Sequence, residues 1–130
     1  MTTEPPFDAA ALCDAFENDL EVIQELIALV ARDLPRYQQT REAAADAGDL
    51  IGVGRASHAI KGAVGNVCAF PLCEITEGLE QAGRSQDLAR VTELRPAFRA
   101  ASAALLEALA AWPDRAPASE AAAVTTGVSR

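Results

Sequence analysis

The chain has 130 residues, of which 19 are acidic and 11 basic, so its formal net charge is -8 at pH 7. This length suits one domain with its own core, and the acidic balance argues against nucleic-acid binding, which needs clustered lysine and arginine. Half of the residues are hydrophobic, but we find no apolar run long enough to span a membrane and no export leader. Three cysteines, an odd number, favour reduced thiols in a cytoplasmic protein.

Hydrophobic residues at intervals of three and four predict amphipathic helices in the first third of the chain. A short helix is expected within residues 7–16. The apolar positions from Phe16 to Tyr37 then keep one face of a long helix hydrophobic, and Gly48 is the predicted stop. Pro35 lies inside this stretch and predicts a kink or a break, because proline lacks an amide proton and clashes one turn back.

Three further helical segments follow. The first begins after Asp49, which is predicted to cap it. The next starts at Pro71, which suits a first-turn position, and is expected to end at Gly83. The last spans residues 88–112, with a bend at Pro96.

These segments predict a single domain with two irregular ends. Residues 1–6 and 113–130 show no apolar period and are predicted to be disordered. Residues 7–112 are predicted to form an all-α fold, an antiparallel up-and-down four-helix bundle with a short extra N-terminal helix.

His58 is the only histidine, and it is predicted to point away from the core. At 100° per residue, the apolar residues of its segment lie on the opposite side of the helix. The face of the ring carries small and basic residues, namely Gly54, Arg55, Lys61, Gly62 and Gly65. A glycine in a helix costs about 0.8 to 1 kcal/mol relative to alanine, so this face is expected to be open to a partner's backbone or a phosphoryl donor. A helix start or kink is the alternative interpretation of Gly54.

The chemistry available at this face is that of a group carrier. A neutral imidazole has a free lone pair and can act as a nucleophile, and Lys61 supplies a cation for an arriving anion. Within the segment no carboxylate stands at helical spacing to orient the ring, and there is no Walker-type loop. A zinc site of His58, Cys68 and Cys73 is disfavoured because ten helical residues put the first two about 15 Å apart.

The stretch HAIKGAVGNVCA, residues 58–69, resembles the signature of histidine-containing phosphotransfer (HPt) domains. In these domains a hydrophobic residue, lysine and glycine follow the phosphorylated histidine. Similar strings extend the likeness over residues 7–112, at DLP (33–35), AGDL (47–50) and LEQA (79–82). Cys68 departs from the family, in which many members carry glycine at that position.

The resemblance implies a bundle that accepts a phosphoryl group on histidine from a receiver-domain aspartate and passes it to another receiver. His58 would be the phosphoacceptor, Lys61 its basic neighbour and Gly62 the small residue that opens the ring to the partner. The other predicted binding residues are Ile51, Arg55, Gly65, Glu80 and Arg84. Some family members place residues that hydrogen-bond near the phosphoryl group at the last two positions.

The resemblance also implies the partners and the absence of cofactors. Mg²⁺ and the acid–base groups belong to the receiver, so the chain is expected to carry no metal and to be a phosphoryl carrier rather than an enzyme. Expected partners are response-regulator receiver domains and a hybrid histidine kinase, with no nucleic acid and no membrane, and the chain is predicted to be a monomer. The alternative is a helical adaptor that binds a kinase or receiver without being phosphorylated. A kinase's own phosphoacceptor domain is disfavoured because the chain has no ATP-binding domain.

Overall fold

A computed structural model of the chain describes residues 5–112, which are almost entirely helical. Five helices follow one another, namely α1 (Ala9–Ala15), α2 (Leu20–Asp46), α3 (Leu50–Gly65), α4 (Phe70–Arg84) and α5 (Leu88–Ala111). This order confirms the predicted all-α bundle with a short extra N-terminal helix. Residues 1–4 and 113–130 lie outside the described part, so the predicted disorder of the two ends stays a prediction.

Aspartates begin four of the five helices, because each carboxylate accepts a hydrogen bond from a backbone N–H that has no partner in the first turn. The capping residues are Asp8, Asp19, Asp49 and Asp87. Helix α4 instead has Pro71 in its first turn, as predicted, where the missing N–H removes no helical bond. The cap predicted at Asp49 is confirmed.

Left-handed backbone separates the helices at several turns. Gly48, with φ 76°, follows α2 as predicted. Cys68, with φ 59°, lies between α3 and α4. Glycine adopts this conformation without the steric cost of a Cβ atom, which gives a backbone reason for the glycine that many HPt domains carry at the Cys68 position.

Three local expectations differ from the structure. Phe16 ends α1 rather than starting the long helix, because Glu17 and Asn18 take positive φ angles and turn the chain. The break offered as one outcome at Pro35 is wrong, since α2 continues through it. Gly83 does not end its helix but lies inside the last turn of α4.

The core lies between α2, α3, α4 and α5, and each helix packs against its neighbour in chain order, with α5 returning to α2. Its side chains are mostly aliphatic, with Phe98 fully buried among them. Arg41 is also fully buried, and its guanidinium carbon lies 4.4 Å from the centre of the Phe98 ring. The Glu42 carboxylate pairs with Arg41, Arg95 and Arg99 and so joins α2 to α5.

Among the five helices described, none is both long and apolar enough to cross a lipid bilayer.

Candidate functional site

His58 stands on the outer wall of the bundle. It lies in the middle of α3, and 65% of its side chain is exposed. Val53, Ile60 and Val64 of the same helix are buried. The predicted outward direction of the ring is therefore confirmed.

A buried carboxylate from the neighbouring helix holds the ring. Glu80 of α4 has only 4% of its side chain exposed, and its Oε2 lies 2.9 Å from Nδ1 of His58. The two residues are 22 positions apart in the chain. No residue within α3 could have supplied this contact, so the orienting carboxylate that the α3 segment lacks comes from another helix.

Two cations share the same carboxylate. The Lys61 ammonium lies 2.9 Å from Oε1 of Glu80, and the Arg84 guanidinium lies 2.6 Å from Oε2. Burial alone would raise the pKa of the Glu80 carboxyl, but its contacts with Lys61 and His58 and the charge of Arg84 outweigh burial and lower that pKa. Glu80 is therefore ionised at neutral pH, and the same pairing raises the pKa of Lys61.

The ionisation of Glu80 decides which ring nitrogen of His58 carries the proton. An ionised carboxylate only accepts hydrogen bonds, so Nδ1 must donate. The lone pair then belongs to Nε2 on the exposed side chain. When the ring is neutral, the site presents an oriented nitrogen nucleophile to solvent.

The glycines near His58 serve two different purposes. A methyl group built on Gly62 would meet nothing within 4 Å, and one on Gly65 would meet only the Cys73 sulfur, at 3.8 Å. These two positions are open, as predicted. Gly54 is buried, and its methyl would lie 3.3 Å from backbone atoms of Glu80 and Arg84. The expectation of open space at Gly54 is wrong because α4 packs over that side of α3.

Other predicted site residues lie on the same outer face. Ile51 and Arg55 are exposed, on the two turns of α3 before His58. Arg84 lies at the end of α4, with its guanidinium on Glu80. The Lys61 side chain is only 35% exposed and is bound to Glu80 rather than free.

An apolar groove of about 490 Å³ runs beside His58 between α2 and α3. Its lining includes Leu26, Leu29 and Tyr37 of α2 and Ala59, Gly62 and Ala63 of α3. Leu29 keeps 43% of its surface exposed, a large fraction for a leucine in a packed bundle. These α2 residues were not among the predicted site residues, although their spacing of three and four around Asp33 places them in one stripe.

In residues 5–112, no three His, Cys, Asp or Glu side chains are grouped so that they could hold a metal ion. Cys68 and Cys73 are both partly buried against the core, and burial raises the pKa of both thiols. A raised pKa keeps a thiol protonated and unreactive at neutral pH. His58 is therefore the stronger candidate for a nucleophile at this face.

The fold and the site together define a helical bundle that presents one oriented histidine to a partner. Residues 10–112 match the model of the Hpt domain family, and the chain belongs to this family. Its fold is similar to the crystal structure of histidine-containing phosphotransfer protein B (HptB) from Pseudomonas aeruginosa PAO1. The TM-score is 0.78 at 22% identity, and the match covers 88% of this chain and 100% of that one. No curated protein sequence shows a significant match.

Membership of the family defines the general role of the chain. Hpt domains are phosphoryl carriers rather than enzymes, and they interact with the receivers and kinases of two-component systems. The chain is therefore a phosphotransfer domain with a role in a phosphorelay.

Proposed function

We propose that the protein is a phosphorelay intermediate in which Nε2 of His58 accepts a phosphoryl group from the aspartyl phosphate of one receiver domain and passes it to another. The observation that carries this proposal is the exposed His58 ring whose Nδ1 is held by the buried Glu80 carboxylate. This contact leaves the nucleophilic lone pair on the nitrogen that a docked receiver can reach.

The bonds and charges of the proposed transfer can be accounted for without a cofactor on this chain. The Nε2 lone pair attacks phosphorus, the N–P bond forms, and the P–O bond to the receiver aspartate breaks with its electron pair leaving on the carboxylate. The ring becomes positively charged as the bond forms, and the hydrogen bond from Nδ1 to Glu80 stabilises that charge. The same steps in reverse deliver the group to the second receiver and return the ring to its neutral form.

The charge of the cluster suits an anionic group. Lys61 and Arg84 carry two positive charges against the single negative charge of Glu80, so the cluster has a net charge of +1 while His58 is neutral. This positive charge favours the arrival of a phosphoryl group. Mg²⁺ is expected on the receiver, where the aspartyl phosphate is bound.

The receiver is proposed to dock on the apolar groove and the exposed residues around His58. The groove is close to His58 along α3, because the next residue, Ala59, and Gly62, one turn further on, line it. An exposed apolar surface of this kind is typical of a protein contact. Gly62 lets a partner's backbone approach the ring because it has no side chain. We further propose that the chain acts as a monomer in the cytoplasm, with a hybrid histidine kinase among its partners.

A direct test mixes the purified protein with receiver domains labelled with radioactive phosphate on aspartate. The wild type should acquire label that is acid-labile and alkali-stable, as expected for a phosphorus–nitrogen bond, and His58→Gln should acquire none. Arg55→Gln, on the same exposed face, changes the docking surface but not the acceptor, so whatever label it acquires should still be on His58.

Two results would contradict the proposal. One is that no cognate receiver labels the wild type, and the other is that His58→Gln labels equally well. If His58→Gln also preserved binding and signalling output, the chain would be an adaptor that is never phosphorylated.

A further inference from the structure

The backbones of α3 and α4 come unusually close together at two glycines. A methyl group built on Gly83 would lie 2.5 Å from the Gly54 nitrogen, 2.7 Å from the Leu50 carbonyl oxygen and 2.8 Å from the Gly54 Cα. Carbon atoms in contact normally lie about 3.5 to 4.0 Å apart. Both glycines are buried, and the two helices touch here backbone to backbone. This approach requires that Gly83 lack a side chain, and it leaves only tight room for one at Gly54.

This crossing lies next to the His58 site. His58 follows Gly54 by one turn of α3, and Glu80 precedes Gly83 by about one turn of α4. The two helices are antiparallel neighbours joined by a short turn. One helical turn forward from Gly54 on α3 and one turn back from Gly83 on α4 therefore lie side by side. There the His58 Nδ1 and the Glu80 Oε2 are 2.9 Å apart.

We propose that Gly54 and Gly83 are positioning residues for phosphotransfer, because their contact fixes the distance between α3 and α4 at which the Glu80 carboxylate reaches Nδ1 of His58. This inference rests on the proposed function for its effect on transfer, but not for its effect on the ring. A second observation supports it. A methyl on Gly54 would press on the Glu80 carbonyl oxygen and the Arg84 nitrogen, both at 3.3 Å, which are backbone atoms of two residues in the site.

The size of the effect follows from the distances. To bring a Gly83 methyl from 2.5–2.8 Å to ordinary contact, the helices must separate by about 1 Å, since backbone cannot rotate away as a side chain can. The same displacement would stretch the hydrogen bond between Nδ1 and Oε2 beyond about 3.2 Å, the usual limit for N–H···O geometry. A misplacement of about 1 Å can slow a reaction as much as a hundredfold.

The experiment compares three alanine variants of the full chain. Gly83→Ala should slow phosphoryl transfer from a labelled receiver about ten- to a hundredfold. In Gly54→Ala the neighbours need to yield by only a few tenths of an ångström, and a loss of about two- to tenfold is expected. Gly78→Ala is the matched control on α4, because its methyl meets the flexible end of the Leu94 side chain, and it should transfer at the wild-type rate.

A second measurement separates positioning from a general loss of structure. Nitrogen-15 shifts of the His58 ring report which nitrogen carries the proton. The wild type and Gly78→Ala should show the proton on Nδ1, whereas Gly83→Ala should show a mixture of both neutral forms while circular dichroism still shows a folded bundle. If Gly83→Ala does not fold, the transfer rate and the ring nitrogen-15 shifts of Gly54→Ala test the inference instead.

A folded Gly83→Ala protein with wild-type transfer and the proton still on Nδ1 would overturn the inference, and so would an unchanged Gly54→Ala protein if Gly83→Ala is unfolded. If the wild type itself takes no phosphate, the proposed function fails, but the ring measurement still tests the crossing by itself.

Discussion

Replacing Glu80 tests the chemistry of the site most directly, because this single carboxylate contacts Nδ1 of His58 from a position with 4% exposure. Glu80→Gln keeps the shape and an acceptor oxygen but removes the charge. A hydrogen bond to a charged group contributes about 1.5 to 3 kcal/mol, and one between neutral groups about 0.5 to 1.5 kcal/mol. Since the ring gains positive charge during transfer, the variant should lose about 1 to 1.5 kcal/mol of transition-state stabilisation.

That loss converts into rates that can be measured. Each 1.36 kcal/mol corresponds to a factor of ten, so transfer to Glu80→Gln should be about five to thirteen times slower than to the wild type. Glu80→Ala loses the whole hydrogen bond and should be about ten to a hundred times slower. The assay is the second-order rate of label uptake from a phosphorylated receiver, with thermal melting as the check on folding.

Glu77→Gln provides the matched control. Glu77 is exposed on α4 one turn before Glu80, and the hydrogen bond that it accepts from Gln81 is long, at 3.4 Å. The control makes the same change of charge without touching the ring, so its transfer rate should match the wild type. If a folded Glu80→Gln protein transfers as fast as this control, the carboxylate does not activate His58.

Three further results are expected. Burial opposes ionisation of Glu42, but its arginine contacts outweigh burial and lower its pKa to about 2. Because this folded value lies below the unfolded one, the ionised Glu42 stabilises the bundle above about pH 4.5, and that stabilisation is lost as the pH falls towards 2. Between pH 5 and 2 the wild type should therefore lose about 3 kcal/mol more stability than Glu42→Gln. Equal losses of the two proteins in chemical unfolding would contradict this. Gly62→Ala should raise the free energy of unfolding by up to about 1 kcal/mol. The same variant should transfer phosphate more slowly, since its methyl group would occupy open space near His58. An unchanged transfer rate would mean that the receiver does not approach the protein at Gly62. Leu29→Asp should fold normally but bind the receiver at least about tenfold more weakly in calorimetry. Leu20 is about as exposed as Leu29 but lies outside the groove, so Leu20→Asp should bind as the wild type does. Equal binding by both variants would place the docking surface elsewhere.

The local sequence pattern was sufficient to predict much of the fold. Apolar spacing predicted five helical segments, and Asp49 and Pro71 were assigned to helix starts that the structure confirms. The prediction at Pro35 allowed a break, but Leu34 and Arg41 on either side of it are buried in the core. Their packing outweighs the loss of one backbone hydrogen bond.

The direction of His58 follows from sequence alone, because helix geometry turns residue spacing into an angle without reference to any neighbour. What covers each side of α3 does not follow from spacing. The carboxylate that holds the ring comes from Glu80, 22 residues away, and the supposedly open side at Gly54 is occupied by the α4 backbone. Those contacts depend on the distance and register between two helices, which the packing of the whole core decides.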